Sequence, residues 1–412
     1  MSRTLPAPEF GREAAERWVG EHLAGLFAGD PVGSERFRGG QSFADAALDA
    51  YDVTGYAARR NQVWPPSRRG ASALSPYIRH GLITLPAAWR HVAGGPAKDV
   101  GKFRDELLWQ EFARHWYARL GTRTRRGVRR ELAAAAPTDV GVDGWDRTMV
   151  CLDETVGELE RDGWLVNQTR MWLSSQWSVR SGWRWQDGED AFFRELLDGS
   201  RAANRLGWQW TTGVGSSKHY GFSRWQVEKR TSGWCTTCPR RHDCPIERWP
   251  DDPAFTPVER PAAVKQGPGA GDLTGPTSVE SDGSAPKAVW LTAESLGTDD
   301  PAAAAHPDLP IVFVFDRPLL ERLRLSAKRL VFLTEILAEW AQQRDVEVHV
   351  GRPADVLADR PVAVTHAPVP GFGRLADRIL PAETHPWPWL ALPGHGSFAS
   401  FSAWRRSVQV VI

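Results

Sequence analysis

Two stretches decide the fold of the first part of the chain, DGWLVNQTRMW (residues 162–172) and LLDGSRAANRLGWQW (residues 196–210). Apolar residues recur at helical spacing around them, in segments that end at glycines: 146–160, 164–180 and 189–198. The segment FRDELLWQEFARHWYARL (103–120) also collects its apolar residues near one face of a helix. Because no convincing alternating strand occurs before residue 250, we predict that residues 1–250 form an all-helical domain.

The pattern changes after Pro250. Residues 251–287 are rich in Pro, Gly, Ser and Asp and almost lack large apolar side chains, which is typical of a flexible interdomain linker. Beyond it, β-rich apolar runs alternate with a helical pattern: strands at 288–291, 311–315, 346–350 and 362–364, and a helix at 319–343. This order predicts βαβ units and a parallel sheet, and so a Rossmann-like α/β domain over residues 288–412.

Composition limits the classes of protein. With 412 residues, 42% hydrophobic and 25% charged, the chain resembles an ordinary globular protein and is not globally disordered. It has no apolar run of membrane-spanning length and no apolar signal core at its N-terminus, so we expect a cytoplasmic protein without a membrane partner. A monomer is favoured.

Charge and tryptophan are unevenly distributed. Residues 1–250 carry 36 Lys and Arg against 30 Asp and Glu, a net +6, whereas residues 251–412 carry 15 against 20, a net −5. Sixteen of the 21 tryptophans lie in the first 250 residues. A basic, tryptophan-rich first part suits a phosphate-bearing or aromatic ligand.

The four cysteines form a candidate metal site. Cys235, Cys238 and Cys244 follow a C-x2-C-x5-C-P pattern, and Cys151 is the fourth thiol. Four thiolates can bind one [4Fe–4S] cluster or one zinc ion. The alternative is an inert, buried Cys151 beside a redox or zinc loop made by the other three.

The two opening stretches resemble the flavin-binding core of the DNA photolyase/cryptochrome family. RRGASALSPYIRHGLIT (68–84) resembles the phosphate-contacting loop of that family, and DELLWQEFARHWY (105–117) resembles its Glu-Leu-x-Trp-Arg-Glu-Phe helix. These motifs follow one another in the family's order over roughly residues 40–225. The resemblance implies that the chain binds flavin adenine dinucleotide (FAD).

By this resemblance, particular residues receive roles at the flavin. Arg170 would lie against the isoalloxazine, Asp198 beside it, and Asn204 would face its N5 atom. A loop that opens a helix suits a diphosphate, because hydroxyls and free N–H groups meet there. The remaining expected FAD contacts are Tyr56, Ser72, Leu74, Ser75, Gln110, Asn167 and Ser200.

The resemblance also implies a cavity for a flipped-out pyrimidine dimer. Such a lesion must leave the duplex to approach the flavin, and aromatic walls replace its lost stacking. The residues implied are Glu106, Trp109, Asn167, Met171 and Trp210. Asn167 stands where enzymes of the (6-4) class carry histidine, which favours cyclobutane dimers. Trp208 and Trp185 match the first two members of an electron relay, whose third member is Trp145, Trp172, Trp177 or Trp183.

The resemblance extends to the cysteines and to the last domain. An iron–sulfur subgroup of bacterial photolyases and cryptochromes has cysteines placed like these four, which favours [4Fe–4S] over zinc. The segments VWLTAESLGTDDP (289–301) and VEVHVGRPADVL (346–357) resemble the family's antenna domain, which normally precedes the flavin domain. We therefore expect a circularly permuted photolyase with an antenna chromophore of unknown identity.

Some positions depart from the family pattern. Gln110, Ala71, Ser200 and Gln168 replace an arginine, a threonine, an aspartate and a DNA-contacting cation respectively. A dense basic run could bind DNA phosphates, or could simply be a solvated face: Arg123, Arg125, Arg126, Arg129 and Arg130.

The leading hypothesis is light-driven repair of pyrimidine dimers in DNA. The alternatives are a cryptochrome-type light sensor, favoured by Gln168 and Ser200, and a metal-containing DNA-binding module without flavin.

Overall fold

Helices dominate the first part of the chain. The computed structural model describes residues 2–265, 274–394 and 396–411. Its first helices are α1 (Arg12–His22), α2 (Gln41–Asp49), α3 (Tyr56–Arg59), α4 (Ser75–Arg79), α5 (Leu85–His91), α6 (Ala97–Leu120), α7 (Val150–Asp162), α8 (Asn167–Ser175), α9 (Trp185–Glu195), α10 (Arg201–Thr212), α11 (Arg224–Arg230) and α12 (Trp234–Thr237). Gly163 ends α7 in the left-handed conformation with φ 64°, as its position in the sequence suggests.

The second part is an α/β unit. The strands of the chain are β1 (Arg3–Leu5), β2 (Arg130–Leu132), β3 (Phe255–Pro257), β4 (Glu280–Ser281), β5 (Ala288–Leu291), β6 (Ile311–Asp316), β7 (Val346–Gly351), β8 (Val362–Thr365) and β9 (Glu383–His385). The remaining helices are α13 (Ala262–Lys265), α14 (Pro301–Ala305), α15 (Arg317–Leu323), α16 (Ala327–Trp340), α17 (Pro353–Val356), α18 (Pro370–Ile379) and α19 (Phe401–Ser407).

The main sheet has the order β1-β7-β6-β5-β8-β9-β4. Its central strands β7, β6, β5, β8 and β9 are parallel, while β1 and β4 pair antiparallel at the two edges. Numbered along the chain, the parallel strands follow the order 3-2-1-4-5, which is that of doubly wound Rossmann-like sheets. The expected parallel α/β unit is therefore present.

Two short strands correct the expectation of a purely helical first domain. β1 adds to the edge of the α/β sheet by pairing with β7, and β2 pairs antiparallel with β3. Each of these strands has only three residues, which is too short for an alternating pattern to stand out in the sequence.

The expected linker, 251–287, is partly structured. β3, α13 and β4 lie within it, and Val264 is buried where its carbonyl accepts a hydrogen bond from the Phe398 amide at 3.0 Å. Residues 266–273 of this segment lie outside the described residues. The low apolar content misleads here because a few anchoring contacts suffice to hold such a segment.

The helix expected at 319–343 is two helices. α15 ends at Leu323, the next residue, Arg324, is left-handed with φ 49°, and α16 starts three residues after Arg324. α16 is buried along its whole length, between the sheet and the helical unit. Its apolar residues therefore lie on all sides of the helix, among five polar ones, and this pattern leaves no clear boundary between α15 and α16 in the sequence.

One hydrophobic core joins the two units. Trp18 of α1 and Phe103 of α6 belong to the same buried cluster as Phe313 of β6 and Phe332 of α16. Arg79 also forms a two-fold ion pair with Glu294 across the junction, with N···O distances of 2.6 and 2.7 Å. The helical unit is thus packed directly on the α/β unit.

Candidate flavin, DNA and metal sites

The expected flavin residues meet where α8 packs against α10. Arg170 Nη2 donates a hydrogen bond to Asp198 Oδ2 at 2.7 Å, and Arg170 Nε donates to the Leu165 carbonyl at 3.0 Å. Asp198 and Asn204 are buried, yet Asp198 Oδ1 and Asn204 Nδ2 have no hydrogen-bond partner among the described residues. Buried polar atoms are normally satisfied, and here the carboxylate oxygen can accept a hydrogen bond from a bound polar ligand while the amide can donate one.

Ser200 has a local role. It is the N-cap of α10, where its side chain accepts a hydrogen bond from the Ala203 amide. Serine at this position satisfies a helix-end amide, which an aspartate could also do. The substitution for aspartate therefore preserves the start of α10.

The serine loop leads into α4. Leu74 is the N-cap of α4, Ser75 is its first residue, and Ser75 Oγ accepts a hydrogen bond from Trp164 Nε1 at 2.9 Å. Ser72 Oγ accepts from the Leu74 amide at 3.4 Å. Tyr56 is buried, and this burial raises the pKa of its hydroxyl, so it stays protonated. These groups offer hydrogen-bond donors of the kind a diphosphate requires.

The expected lesion-cavity residues lie on three helices. On α6, Glu106 pairs with Lys102 at 2.8 Å and with Arg60 at 3.5 Å, and the half-buried Trp109 stacks on Phe401 at a centroid distance of 4.0 Å. Gln110 and Met171 are half-buried. Asn167 begins α8 and is exposed.

Trp210, on α10, is the expected cavity residue with the most open ring. It is 45% exposed, and its ring centroid lies 6.0 Å from that of Tyr220. An exposed indole in this setting offers a stacking surface for an unpaired base.

Gln168 differs from its expected environment. It is buried and its Nε2 donates a hydrogen bond to the Tyr220 hydroxyl at 2.7 Å, so it does not face solvent. A cation would lose its hydration at this position, and glutamine instead forms a satisfied buried hydrogen bond. The absence of a charge at residue 168 therefore says little about DNA binding.

The tryptophans of the helical unit form a connected group. Trp177 lies 4.9 Å from Trp145 and 4.9 Å from Trp183 by ring centroids. Trp208 reaches the same region, because a Cβ on Gly188 would overlap the Trp208 indole and come within 2.9 Å of that of Trp177. Gly188 therefore allows the two indoles to approach each other.

Trp185 is placed differently. It is buried, and its Nε1 donates to Glu131 Oε2 at 3.4 Å. In the described part of the chain, Trp208 has a ring contact with Phe192 but with neither Trp185 nor Trp177. The motifs of the sequence did not single out Gly188 and left Trp177 as one of several options. The only hint in the sequence was Gly188 itself, a glycine within a helical segment rich in large aromatic residues.

All four cysteines line one cavity. Cys151 comes from α7 and the other three from α12 and the loop after it, together with Arg224, Arg240 and Trp234. The cavity is small, about 20 Å³, and opens partly to solvent. Burial raises the pKa of the Cys151 and Cys244 thiols, and raises that of Cys235 to about 11. Without a metal, these thiols stay protonated, and bound iron or zinc would hold them as thiolates.

The distance between thiol sulfurs that a metal site requires depends on the metal group it holds. One tetrahedral zinc ion would hold its sulfur ligands about 3.8 Å apart. Within the described residues, three or more candidate ligands that approach within 4.8 Å of one another occur only elsewhere, at His306, Glu383 and His385. In the described part of the chain, no three of the four thiol sulfurs therefore all lie within 4.8 Å of one another.

The basic run forms an open recess beside the helical core. Arg123, Arg125 and Arg126 line it together with Arg184, and the first three are exposed. Arg125 pairs with Asp190 at 2.8 Å, whereas Arg123 and Arg126 form no ion pair with the described acidic side chains. Unneutralised arginines on one exposed surface are suited to phosphate groups.

Comparisons with known proteins agree with this site. Residues 103–232 match the family model described as the FAD binding domain of DNA photolyase. The chain is 32% identical over 218 residues to a deoxyribodipyrimidine photo-lyase of Thermus thermophilus, covering 51% of this chain and 44% of that one. It is 28% identical over 189 residues to that of Synechococcus sp., covering 42% and 37%.

Among solved structures, a bacterial class III photolyase from Agrobacterium tumefaciens aligns with 25% identity and a TM-score of 0.38, over 42% of this chain and 37% of that one. The chain spans less than half the length of the curated relatives described above. The aligned part of the chain is thus similar in sequence to the FAD-binding part of DNA photolyases. Along the described residues, no helix has the length and apolarity needed to cross a bilayer.

Proposed function

We propose that this chain is a light-driven, FAD-dependent enzyme that repairs UV-induced pyrimidine dimers in DNA. The observation that carries the proposal is the group of Arg170, Asp198 and Asn204, with its two unsatisfied buried polar atoms inside the segment that matches a photolyase FAD-binding domain. A reduced flavin held there would, when excited by light, supply the electron that splits a dimer.

The residues of this chain would hold and orient the groups that react. Arg170 and Asn204 would bind the flavin ring, with Asp198 fixing the arginine by their ion pair. Ser72 and Ser75, with the amides at the start of α4, would bind the diphosphate. Tyr56, Leu74, Gln110, Asn167 and Ser200 would complete the flavin pocket.

A second group of residues would hold the damaged DNA. Glu106 would hydrogen-bond a thymine edge, and Trp109, Met171 and the exposed Trp210 would replace the stacking of a dimer turned out of the duplex. Asn167 favours a cyclobutane dimer. The recess of Arg123 and Arg126 would bind DNA phosphates.

Tryptophans would carry electrons between the surface and the flavin pocket. We propose the path Trp208–Trp177–Trp183, since the indoles of Trp208 and Trp177 converge over Gly188 and Trp183 is half-buried. The family resemblance instead gives Trp185 as the relay member next to Trp208. Substitution of Trp177 and of Trp185 therefore distinguishes the two electron paths.

The cysteines would bind a [4Fe–4S] cluster that braces the fold. Such a group would tie Cys151 of α7 to the C-x2-C-x5-C segment at the end of the helical unit, closing a long loop of chain. Iron and sulfide analysis of protein purified without oxygen tests it: four of each per chain supports the cluster, and one zinc without iron contradicts it.

We also infer that the domain order is permuted. The doubly wound sheet follows the helical unit here, and its resemblance to an antenna domain would place a second chromophore in it.

The second candidate function is a light sensor without repair activity. The chain matches less than half the length of each relative, so the activity of those proteins does not by itself decide between the two. Illumination of dimer-containing DNA with the reduced protein separates the two: loss of dimers supports repair, and their persistence supports light sensing. A DNA-binding module without flavin is contradicted by a flavin absorption spectrum.

A further inference from the structure

Two histidines and a glutamate converge in the α/β unit, away from the cysteines and the flavin residues. Glu383 and His385 lie two residues apart on β9, so their side chains point to the same face of the sheet. His306 follows the last residue of α14, and α14 packs on that face against β8 and β9. Three potential ligands from two elements therefore meet at one point.

The geometry of this group is that of a metal site. The His306 and His385 Nε2 atoms lie 2.7 and 3.0 Å from the same oxygen, Glu383 Oε2, and the ligand atoms of all three residues lie within 4.8 Å of one another. The two imidazole rings are perpendicular, with centroids 5.8 Å apart, so both nitrogens can face a common centre. His385 is buried, while the other two are half-buried, which leaves a path for an ion.

The three side chains now hydrogen-bond to one another, and only small movements would let each of them bind a metal ion instead. A zinc ion about 2.0–2.1 Å from each ligand atom in tetrahedral geometry requires those atoms to lie about 3.3 Å apart. The present separations of two of the pairs are shorter by a fraction of an ångström. Two histidines and one carboxylate form a ligand set that zinc and related divalent metals use, with a further position left for water.

We propose that His306, Glu383 and His385 bind one divalent transition-metal ion, with water as a further ligand. The ion would join β9 near the sheet edge to the end of α14. This site is separate from the cysteine cavity and does not depend on the proposed repair activity.

Zinc binding to the full chain tests the proposal. Because the four cysteines are also a candidate metal site, the background is Cys235→Ser with Cys238→Ser and Cys244→Ser, which leaves Cys151 as the one remaining thiol. Zinc content after equilibrium dialysis is compared in that background with Glu383→Gln and His306→Ala. Glu383→Gln keeps the size and an oxygen acceptor, so the local hydrogen bonding and fold should persist. We expect one zinc per chain in the background and a loss of affinity of more than about 100-fold in both variants, since even changes to residues that only orient a ligand cost about 10–100-fold.

Two further measurements make the result specific. His91→Ala removes an exposed histidine of the helical unit and should leave zinc binding unchanged. X-ray absorption at the zinc edge should show only nitrogen and oxygen ligands at about 2.0–2.1 Å. Equal zinc content in the background, Glu383→Gln and His306→Ala, or sulfur ligands in the absorption spectrum, would overturn the proposal.

Discussion

Arg170 and Asp198 form an ion pair of 2.7 Å in which one carboxylate oxygen is used and the other, Oδ1, is buried without a partner among the described residues. The side chain of Asp198 is 5% exposed and that of Arg170 22%. An ion pair of this kind holds the arginine in place while leaving an acceptor for a further donor. If the proposed flavin pocket lies here, this arrangement would order Arg170 before the flavin binds.

We expect Asp198→Asn to weaken both the fold and flavin retention. Removing one partner of a largely buried ion pair leaves the other charge unpaired and costs about 3 kcal/mol of unfolding free energy. Chemical denaturation and the flavin-to-protein absorbance ratio measure the two effects. Asp153→Asn is the control, because Asp153 pairs with Arg147 at the same 2.7 Å on the surface and should cost less than about 1 kcal/mol. Full flavin retention in Asp198→Asn would contradict the assignment.

The proposed relay predicts different effects for two tryptophans. Trp177→Phe should slow light-driven flavin reduction more than Trp185→Phe, because the indoles of Trp177 and Trp208 both approach Gly188 closely. Gly188→Ala should also slow it and cost about 1–3 kcal/mol, since its new methyl group would overlap both indoles. Reduction is followed by the decrease of flavin absorbance under blue light with an added reductant. Trp89→Phe, in the other core cluster, is the control. Loss of reduction in Trp185→Phe alone would favour the family's path instead.

DNA binding should depend on the unpaired arginines. The double change Arg123→Ala and Arg126→Ala should weaken binding to duplex DNA and reduce the slope of log K against log salt by about 1.8, or about 0.9 for each phosphate that is no longer neutralised. Titrations at several salt concentrations measure this slope. Arg374→Ala, an exposed position on the α/β unit, should leave it unchanged. An unaltered slope in the double variant would place the DNA elsewhere.

Stability should fall in mild acid because of His115. Its Nε2 lies 2.9 Å from the Ala391 carbonyl and its Nδ1 lies 2.6 Å from Thr274 Oγ1, so a neutral ring satisfies both atoms. Burial lowers the pKa of His115 to about 4 from an ordinary 6.5. Between these two pH values the unfolded chain takes up the proton and the folded one does not, so unfolding free energy decreases as pH falls, by up to about 3 kcal/mol.

Denaturation at about pH 7 and about pH 4.5 tests the role of His115. His115→Gln should lose part of the pH dependence, whereas His91→Gln, at an exposed histidine, should retain all of it. A pH dependence identical in wild type and His115→Gln would show that other groups cause it.

Much of the architecture was predictable because it depends on local patterns. The four parallel strands that were expected occur within a residue of their predicted bounds, as continuous apolar runs allow. β1 and β2 escaped prediction because they contain three residues each and depend on distant partners. The break at Arg324 escaped because α16, which is buried on nearly all sides, carries apolar residues all around the helix and so shows no clear starting point in the sequence.

The candidate sites also differ in how far the sequence predicts them. The sequence predicts one metal site from the C-x2-C-x5-C spacing with Cys151 as the fourth thiol, and in the structure all four cysteines line one cavity. The meeting of Trp208 with Trp177 could not be predicted, because it depends on the missing side chain of Gly188 in the folded state. The convergence of His306 with β9 likewise exists only once α14 packs on the sheet.

Light-dependent removal of cyclobutane dimers is the measurement that tests the central claim most directly. DNA containing one dimer is incubated with the flavin-loaded, reduced protein, and intact thymines are counted with and without blue light. We expect restoration of the thymines in light only, and a much lower rate for Glu106→Gln at equal flavin content. Unchanged dimers after illumination of protein that binds the DNA and holds reduced flavin would contradict repair.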